Sequence, residues 1–364
     1  MASFWQAAAR GLVTLVLLST ALSTSALASK IETLSRAMQR AHEAVVGIEV
    51  QIVDGASSSA TLGTARQGSG VLISDDGLVL TIGYLVLEAE SLQIVTHDGR
   101  RLPARVVAYD QATGFGLVQA LAPLGRRPVL LAPRHARPDE TTLTVVSGGD
   151  EAEVEAVKLV SRRAFSGPWE YHVEGALFTA PPARQHSGAA LFNARGELLG
   201  VGSLAVPDAR GPGQPRTPGN LFVPVELLLP VLAEMRAQGR SIASARPWLG
   251  LNCAEQAGQL RVLRVTDDSP ADVAGLQVGD RITHLDGVKV AALAQLWKAL
   301  WADTRPERAV ELKIERVGRP NDHHGAGSGP RQDFKTRAGH LIGSAQPWRT
   351  PSLQPLRKPS STVG

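Results

Sequence analysis

The chain is predicted to be mainly β, folded as two modules behind an export signal, on three observations. Roughly a dozen short runs rich in Val, Leu and Ile fill residues 46–224 at close spacing, the pattern of an antiparallel barrel or sandwich. A second set of strand-like runs with two helical segments follows a short linker at residues 241–246. The single cysteine, Cys253, excludes an intramolecular disulfide, so both modules must be held by their cores. The length of 364 residues supplies ample chain for them.

Residues 1–28 read as the signal: Arg10 gives a positive start, residues 11–22 an apolar run, and Ala26-Leu27-Ala28 a small-x-small cleavage site. The run is too short for a comfortable membrane span. A soluble periplasmic or otherwise secreted protein is therefore expected after cleavage. Residues 31–45 carry helical spacing (Ile31, Leu34, Met38, Ala41, Val45), with Ser29 placed as an N-cap. Strands are expected at 46–53, 70–74, 78–82, 91–96, 105–109, 116–121, 142–147, 153–160, 172–178, 190–192, 198–205 and 221–224. Asp75-Asp76-Gly77, His97-Asp98-Gly99 and Asn193-Ala194-Arg195-Gly196 supply turn chemistry between them. A helix over 224–238 opens on Pro224 and ends at Gly239. In the second module, 249–253, 260–265, 281–285 and 310–316 read as strands, and 270–274 and 293–301 as helices. The apolar spacing stops after Gly318.

The formal net charge of +4 is unevenly spread. Residues 319–364 hold seven Arg/Lys against two Asp, which leaves the folded body slightly acidic. A basic excess confined to a Pro/Gly/Ser-rich stretch reads as a disordered, solubilising tail and not as a nucleic-acid surface. Neither a metal nor a cofactor is expected. Cys253 lies in the apolar run Trp248-Leu249-Gly250-Leu251-Asn252-Cys253 and reads as a small core residue.

Three segments carry a resemblance. The first is Gly68-Ser69-Gly70-Val71-Leu72-Ile73 with Gly77-Leu78-Val79-Leu80-Thr81. The second is Asp110-Gln111-Ala112-Thr113-Gly114-Phe115-Gly116-Leu117-Val118. The third is Ser187-Gly188-Ala189-Ala190-Leu191-Phe192-Asn193 with Gly196-Glu197-Leu198-Leu199-Gly200. In order and spacing they resemble the HtrA/Deg family of periplasmic serine proteases over about residues 29–318. The resemblance implies a chymotrypsin-like double β-barrel at 29–240 and Ser187 at the nucleophile position. It further implies assembly into a homo-oligomer: family members often form trimers through an N-terminal segment, a place held here by residues 31–45.

The chain departs from that family where the chemistry sits. Tyr84 stands at the base position, Gly114 at the acid position, and Gln185 at the glycine that donates one oxyanion-hole N–H. A serine hydroxyl needs a neighbouring base, and a phenol with a pKa of about 10 is almost wholly protonated at neutral pH. In subtilisin, loss of the histidine costs on the order of a millionfold in kcat. No substitute is evident: His186 is adjacent to Ser187 and should diverge from it, His97 and His172 sit in turn or strand contexts, and Lys30 and Lys158 have no dyad signature.

The second module, 246–318, resembles a PDZ domain. The run Ser269-Pro270-Ala271-Asp272-Val273-Ala274-Gly275-Leu276-Gln277-Val278-Gly279-Asp280-Arg281-Ile282 carries that likeness, together with Trp248-Leu249-Gly250-Leu251. Such modules capture a peptide C-terminus by β-augmentation. The resemblance implies that the N–H groups of Leu249, Gly250 and Leu251 hold the carboxylate, with Leu293, Leu296 and Trp297 along the groove. The expected function is a secreted protease homologue without activity, binding protein C-termini or unfolded and envelope proteins in quality control or scaffolding. An active endopeptidase with a rearranged base and a holdase-type chaperone are the alternatives. Labelling of Ser187 by a fluorophosphonate would mark the former, and suppression of client aggregation without cleavage the latter.

Overall fold

The helical spacing at 31–45 is realised as α1, residues 32–43, in a computed structural model that describes residues 32–132, 142–316 and 331–338. The signal read over 1–28 and most of the tail read over 319–364 lie outside the described residues. The chain divides into two compact units, the first built from residues up to 86, 90–165 and 173–240, the second from 87–89, 166–172 and 241 onward. The second unit thus takes in residues 166–172, which the sequence assigned to the first. Among the described residues no helix is long and apolar enough to cross a membrane.

In the first unit, β1 (Val45–Ile52), α2 (Ser59–Leu62), β2 (Ala65–Leu72), β3 (Leu78–Ile82), α3 (Gly83–Val86), β4 (Ala89–Val95), β5 (Arg101–Asp110) and β6 (Phe115–Ala120) follow in order. Their strands close into a barrel in the order β1-β2-β3-β6-β5-β4. β3 is buried along its whole length, and its one polar side chain, Thr81, donates to Ser69 O at 2.6 Å. Phe115, Ile48, Leu80, Ile82, Ile94 and Leu117 fill the interior. The expected turns hold: Gly77 and Gly99 take positive φ and donate back to Ser74 O and Thr96 O.

A second ring is made by β7 (Leu130–Leu131), β8 (Leu143–Val146), β9 (Val154–Gly167), β10 (Tyr171–Ala180), β11 (Ala190–Phe192), β12 (Glu197–Val206) and β13 (Gly219–Pro224). Their order is β11-β8-β9-β10-β13-β12-β7, and pairing of β11 with β12 closes it. Leu143, Val145, Leu177, Leu191 and Phe222 form its core. The turn after β11 is locked by Asn193 Oδ1, which accepts from Arg195 N at 2.9 Å and Glu197 N at 3.0 Å. The two barrels of this unit meet at the turn before β11. Ser69 N donates to Ser187 O at 2.8 Å, and a Cβ on Gly188 would stand 2.0 Å from Ser69 O.

The helix expected at 224–238 is interrupted. A 3-10 turn, Val225–Leu227, precedes α4 (Leu232–Gln238), with Pro230 between them. Proline disfavours the helical conformation of the residue before it and has no N–H to donate, which accounts for the break. Gly239 ends α4 in the left-handed region, φ 77°, its N–H on Met235 O.

The second unit holds β14 (Leu251–Gln256), β15 (Gln259–Val265), α5 (Pro270–Val273), β16 (Arg281–Leu285), β17 (Val288–Lys289), α6 (Leu293–Leu300), β18 (Arg308–Glu315) and β19 (Arg331–Ala338). The sheet runs β14-β15-β16-β18-β19, with β17 on β16. Ser269 caps α5 by accepting from Asp272 N at 3.2 Å. α6 buries Leu293, Leu296, Trp297 and Leu300, the i, i+3, i+4, i+7 stripe of an amphipathic helix. They pack on Leu251, Cys253, Leu260, Ile282 and Leu312. Cys253 is buried and its thiol is pushed up by that burial, as expected of a core residue. β19 corrects the reading of 319–364 as wholly disordered, because Arg331 to Ala338 pair antiparallel with Glu315 to Arg308. An edge strand held by backbone hydrogen bonds needs few apolar side chains, so composition alone did not reveal it.

Gly188 combines a φ of +74° with a Ser69 carbonyl where its Cβ would go, whereas Gly213, φ +75°, has nothing within 4 Å. Gly213→Ala should therefore cost only the conformational penalty of about 1–2 kcal/mol. Gly188→Ala adds a backbone clash and should cost at least ~3 kcal/mol. Urea unfolding of both variants checks this, and equal losses would refute the steric account.

Candidate functional site

In the first unit, β3 runs into α3 and so delivers Tyr84, while the turn before β11 delivers Ser187. Tyr84 Oη lies 2.7 Å from Ser187 Oγ and 2.9 Å from Ser203 O on β12. Tyr84 is held from behind, since Arg66 donates to its carbonyl at 2.7 Å. Gly114 is brought to the same place: its carbonyl accepts from Gly83 N at 2.7 Å, one residue before Tyr84. The nucleophile, base and acid positions read from the sequence therefore converge, although no imidazole or carboxylate occupies them.

The electrostatics of this cluster oppose proton transfer. Burial raises the Tyr84 phenol above its ordinary value, and the hydrogen bond to Ser187 only partly offsets that. The phenol has one proton to place between two oxygens, and the Ser203 carbonyl can only accept. With that proton on the Ser203 carbonyl the serine hydroxyl donates to the phenol, and with it on Ser187 Oγ the serine only accepts; neither arrangement offers a group that takes up a proton near neutral pH. Gly114 has φ +84°, a conformation that strains an aspartate placed there. Asp110 is fully buried nearby in sequence, but its Oδ2 accepts from Thr113 N at 3.0 Å and Thr113 Oγ1 at 2.6 Å.

Gln185 is exposed, and its amide donates to Glu151 Oε2 at 2.9 Å. Among the described residues, the non-glycine positions with positive φ are Glu88, Ala257, Asp268 and Asp286, and Gln185 is not one of them. The left-handed turn that favours glycine is thus not adopted at this position. His186 turns its ring to Arg184 O at 3.3 Å, His172 bonds Ser166 Oγ at 2.7 Å, and His97 stacks edge-on against His42. Lys158 is exposed on β9. Lys30 lies outside the described residues.

In the second unit, the N–H groups of Leu249, Gly250 and Leu251 converge on a single carboxylate, that of Glu170. Glu170 Oε1 accepts from them at 3.0, 2.6 and 3.0 Å, and Oε2 takes a further bond from Leu249 at 3.1 Å. Glu170 is 6 % exposed. Burial raises its pKa to about 7 against the pull of the three N–H groups and of Arg246. Leu293, Leu296 and Trp297 lie on α6 within the core, and Trp297 Nε1 donates to Gly167 O at 3.0 Å. Sequence reasoning missed Glu170, Ser203 and Arg66. A lone glutamate between Trp169 and Tyr171 matches no motif, and a carbonyl acceptor leaves no sequence signal.

Comparison with known proteins agrees with this fold. Residues 68–201 match the family described as trypsin-like peptidase domain, and residues 247–324 match that described as PDZ domain. A probable periplasmic serine endoprotease DegP-like of Ectopseudomonas mendocina is 28% identical over 265 residues, covering 69% of this chain and 54% of that protein. Serine endoprotease DegS of Haemophilus influenzae is 25% identical over 258 residues, covering 69% of this chain and 74% of that protein. The chain spans about half the length of the DegP-like relatives it matches. Among solved structures, the serine endoprotease from Yersinia pestis superposes with TM-score 0.50 at 20% identity, covering 85% of this chain and 98% of that one. The HtrA-type protease AlgW with decapeptide gives 0.51 at 19%, covering 84% and 98%. At these identities the structural likeness establishes the fold.

The raised pKa of Glu170 has a measurable sign. Unfolded, the carboxyl titrates near its ordinary 4.5, and folded it titrates at about 7. Between those values the folded chain holds a proton that the unfolded chain has released, so stability falls as pH rises through the window and is flat above it. The interval of 2.5 units corresponds to ~3 kcal/mol. Glu170→Gln removes the titration. The wild-type-minus-variant difference in unfolding free energy should therefore drop by that amount between pH 4.5 and pH 8. A difference that does not change with pH would contradict it.

Proposed function

This chain belongs to the HtrA type of trypsin-like peptidases carrying a PDZ domain, and from that premise we propose that it is a non-cleaving member that works by binding. The observation that carries this reading is the Tyr84 phenol on Ser187 at 2.7 Å, where a protease needs an imidazole. Gly114 at the acid position and Gln185 at the oxyanion position support it, because each weakens a different part of the machinery. Ser187 is then a half-buried hydroxyl satisfied by Tyr84, and its turn serves the joint between the barrels.

The signal-like residues 1–28 and the periplasmic relatives support an envelope or periplasmic location. The loop at 249–251 supports protein C-termini, or unfolded envelope proteins, as the ligand class. The test is fluorophosphonate labelling together with hydrolysis of an unfolded protein, on the wild type and on Ser187→Ala. Both proteins should remain unlabelled and leave the substrate intact. Labelling at Ser187, or hydrolysis that Ser187→Ala abolishes, refutes the proposal. Tyr84→His on its own should stay at least ~10⁴-fold below a working triad, because no carboxylate is present to orient the ring.

A further inference from the structure

A peptide that binds a PDZ-type groove adds a strand to the edge of the sheet and sets its terminal carboxylate on the loop N–H groups. Four consecutive residues of this chain already do so, all within the second unit. The Glu170 carboxylate takes the three N–H groups of Leu249, Gly250 and Leu251. Trp169 forms an antiparallel bridge with Asn252, the second residue of β14. Pro168 O accepts from Cys253 N at 2.8 Å, and Gly167 O accepts from Trp297 Nε1 at 3.0 Å. This is the register of a bound C-terminus, with a side-chain carboxylate where the terminal one would be. We infer that residues 167–170 are a ligand of the groove built into the chain, and that a protein C-terminus binds this chain only by displacing them.

The residue types suit the role. Proline at 168 sets an extended backbone and withdraws an N–H that this edge has no need to pair. Trp169 is 42% exposed and lies parallel to the Tyr171 ring at 6.0 Å, pointing out of the strand as an alternating side chain should. A Cβ on Gly167 would stand 3.0 Å from that indole, so the small residue lets the segment close on itself. β14 is the end strand of its sheet, and residues 168 and 169 cover the edge it would otherwise expose. The carboxylate is the decisive element: an incoming carboxylate finds none of the three donors free.

The inference rests on reading this groove as a peptide site and stands apart from whether Ser187 cleaves. Its test uses the full chain, the Glu170→Ala and Glu170→Gln variants, and a fluorescent pool of decapeptides ending in Val, Leu or Phe with a free carboxylate. The same pool amidated at its C-terminus is the control. Wild type should bind the free-carboxylate pool at least tenfold more weakly than Glu170→Ala, with Glu170→Gln between them and the amidated pool bound by none. Hydrogen exchange at residues 249–251 should be slow in the wild type and at least tenfold faster in Glu170→Ala. Wild-type binding as tight as that of the variants, or fast exchange in the wild type, overturns the inference. Fast exchange in the variants with no peptide bound by any of them overturns instead the peptide-site reading beneath it.

Discussion

The turn that carries Ser187 is held by backbone groups on both sides, and the arrangement of the first unit depends on that clamp. Ser69 N donates to Ser187 O, Gly188 N to Gly202 O, and Gly202 N to Ala189 O, each at 2.8 Å. Thr81 Oγ1 closes the set on Ser69 O at 2.6 Å. None of these bonds uses a catalytic side chain. Gly188 beside Ser187 therefore has a structural use independent of the chemistry, because the backbone approach excludes a Cβ whether or not the serine reacts.

Both candidate sites are filled by the chain's own groups. In the first unit a phenol occupies the space of an imidazole and answers the serine hydroxyl. In the second, a glutamate answers three loop N–H groups. In each case a polar group that would be costly to leave unpaired is satisfied internally. The two differ in chemistry. The tyrosine leaves no proton acceptor, whereas the glutamate has the same carboxylate that an external ligand would bring.

The sequence revealed most where a period or a turn residue dictates structure. The strands at 78–82, 190–192 and 281–285 have the expected bounds because glycine-bearing turns or dense apolar runs fix both ends. Pro230 was visible yet outweighed by the apolar pattern around it, and the helix broke there. β19 escaped because its pairing with β18 is a backbone register that no local apolar pattern announces. Tyr84, Gly114 and Ser187 were legible through flanking motifs that set their places in the barrel. Glu170 was not, since its role arises from a long-range approach of residues 79 to 81 positions apart that no local pattern encodes.

Residues 167–170 continue directly into β9 on one side and β10 on the other, so the segment is tethered at both ends. A tethered ligand acts at an effective concentration on the order of millimolar and is not diluted with the protein. A free competitor must reach that level scaled by its own affinity, which sets a threshold that weak or sparse C-termini do not cross. A fragment beginning at Pro247 would lack the segment altogether. It would bind readily, expose the edge of β14, and describe a groove that the whole chain keeps shut.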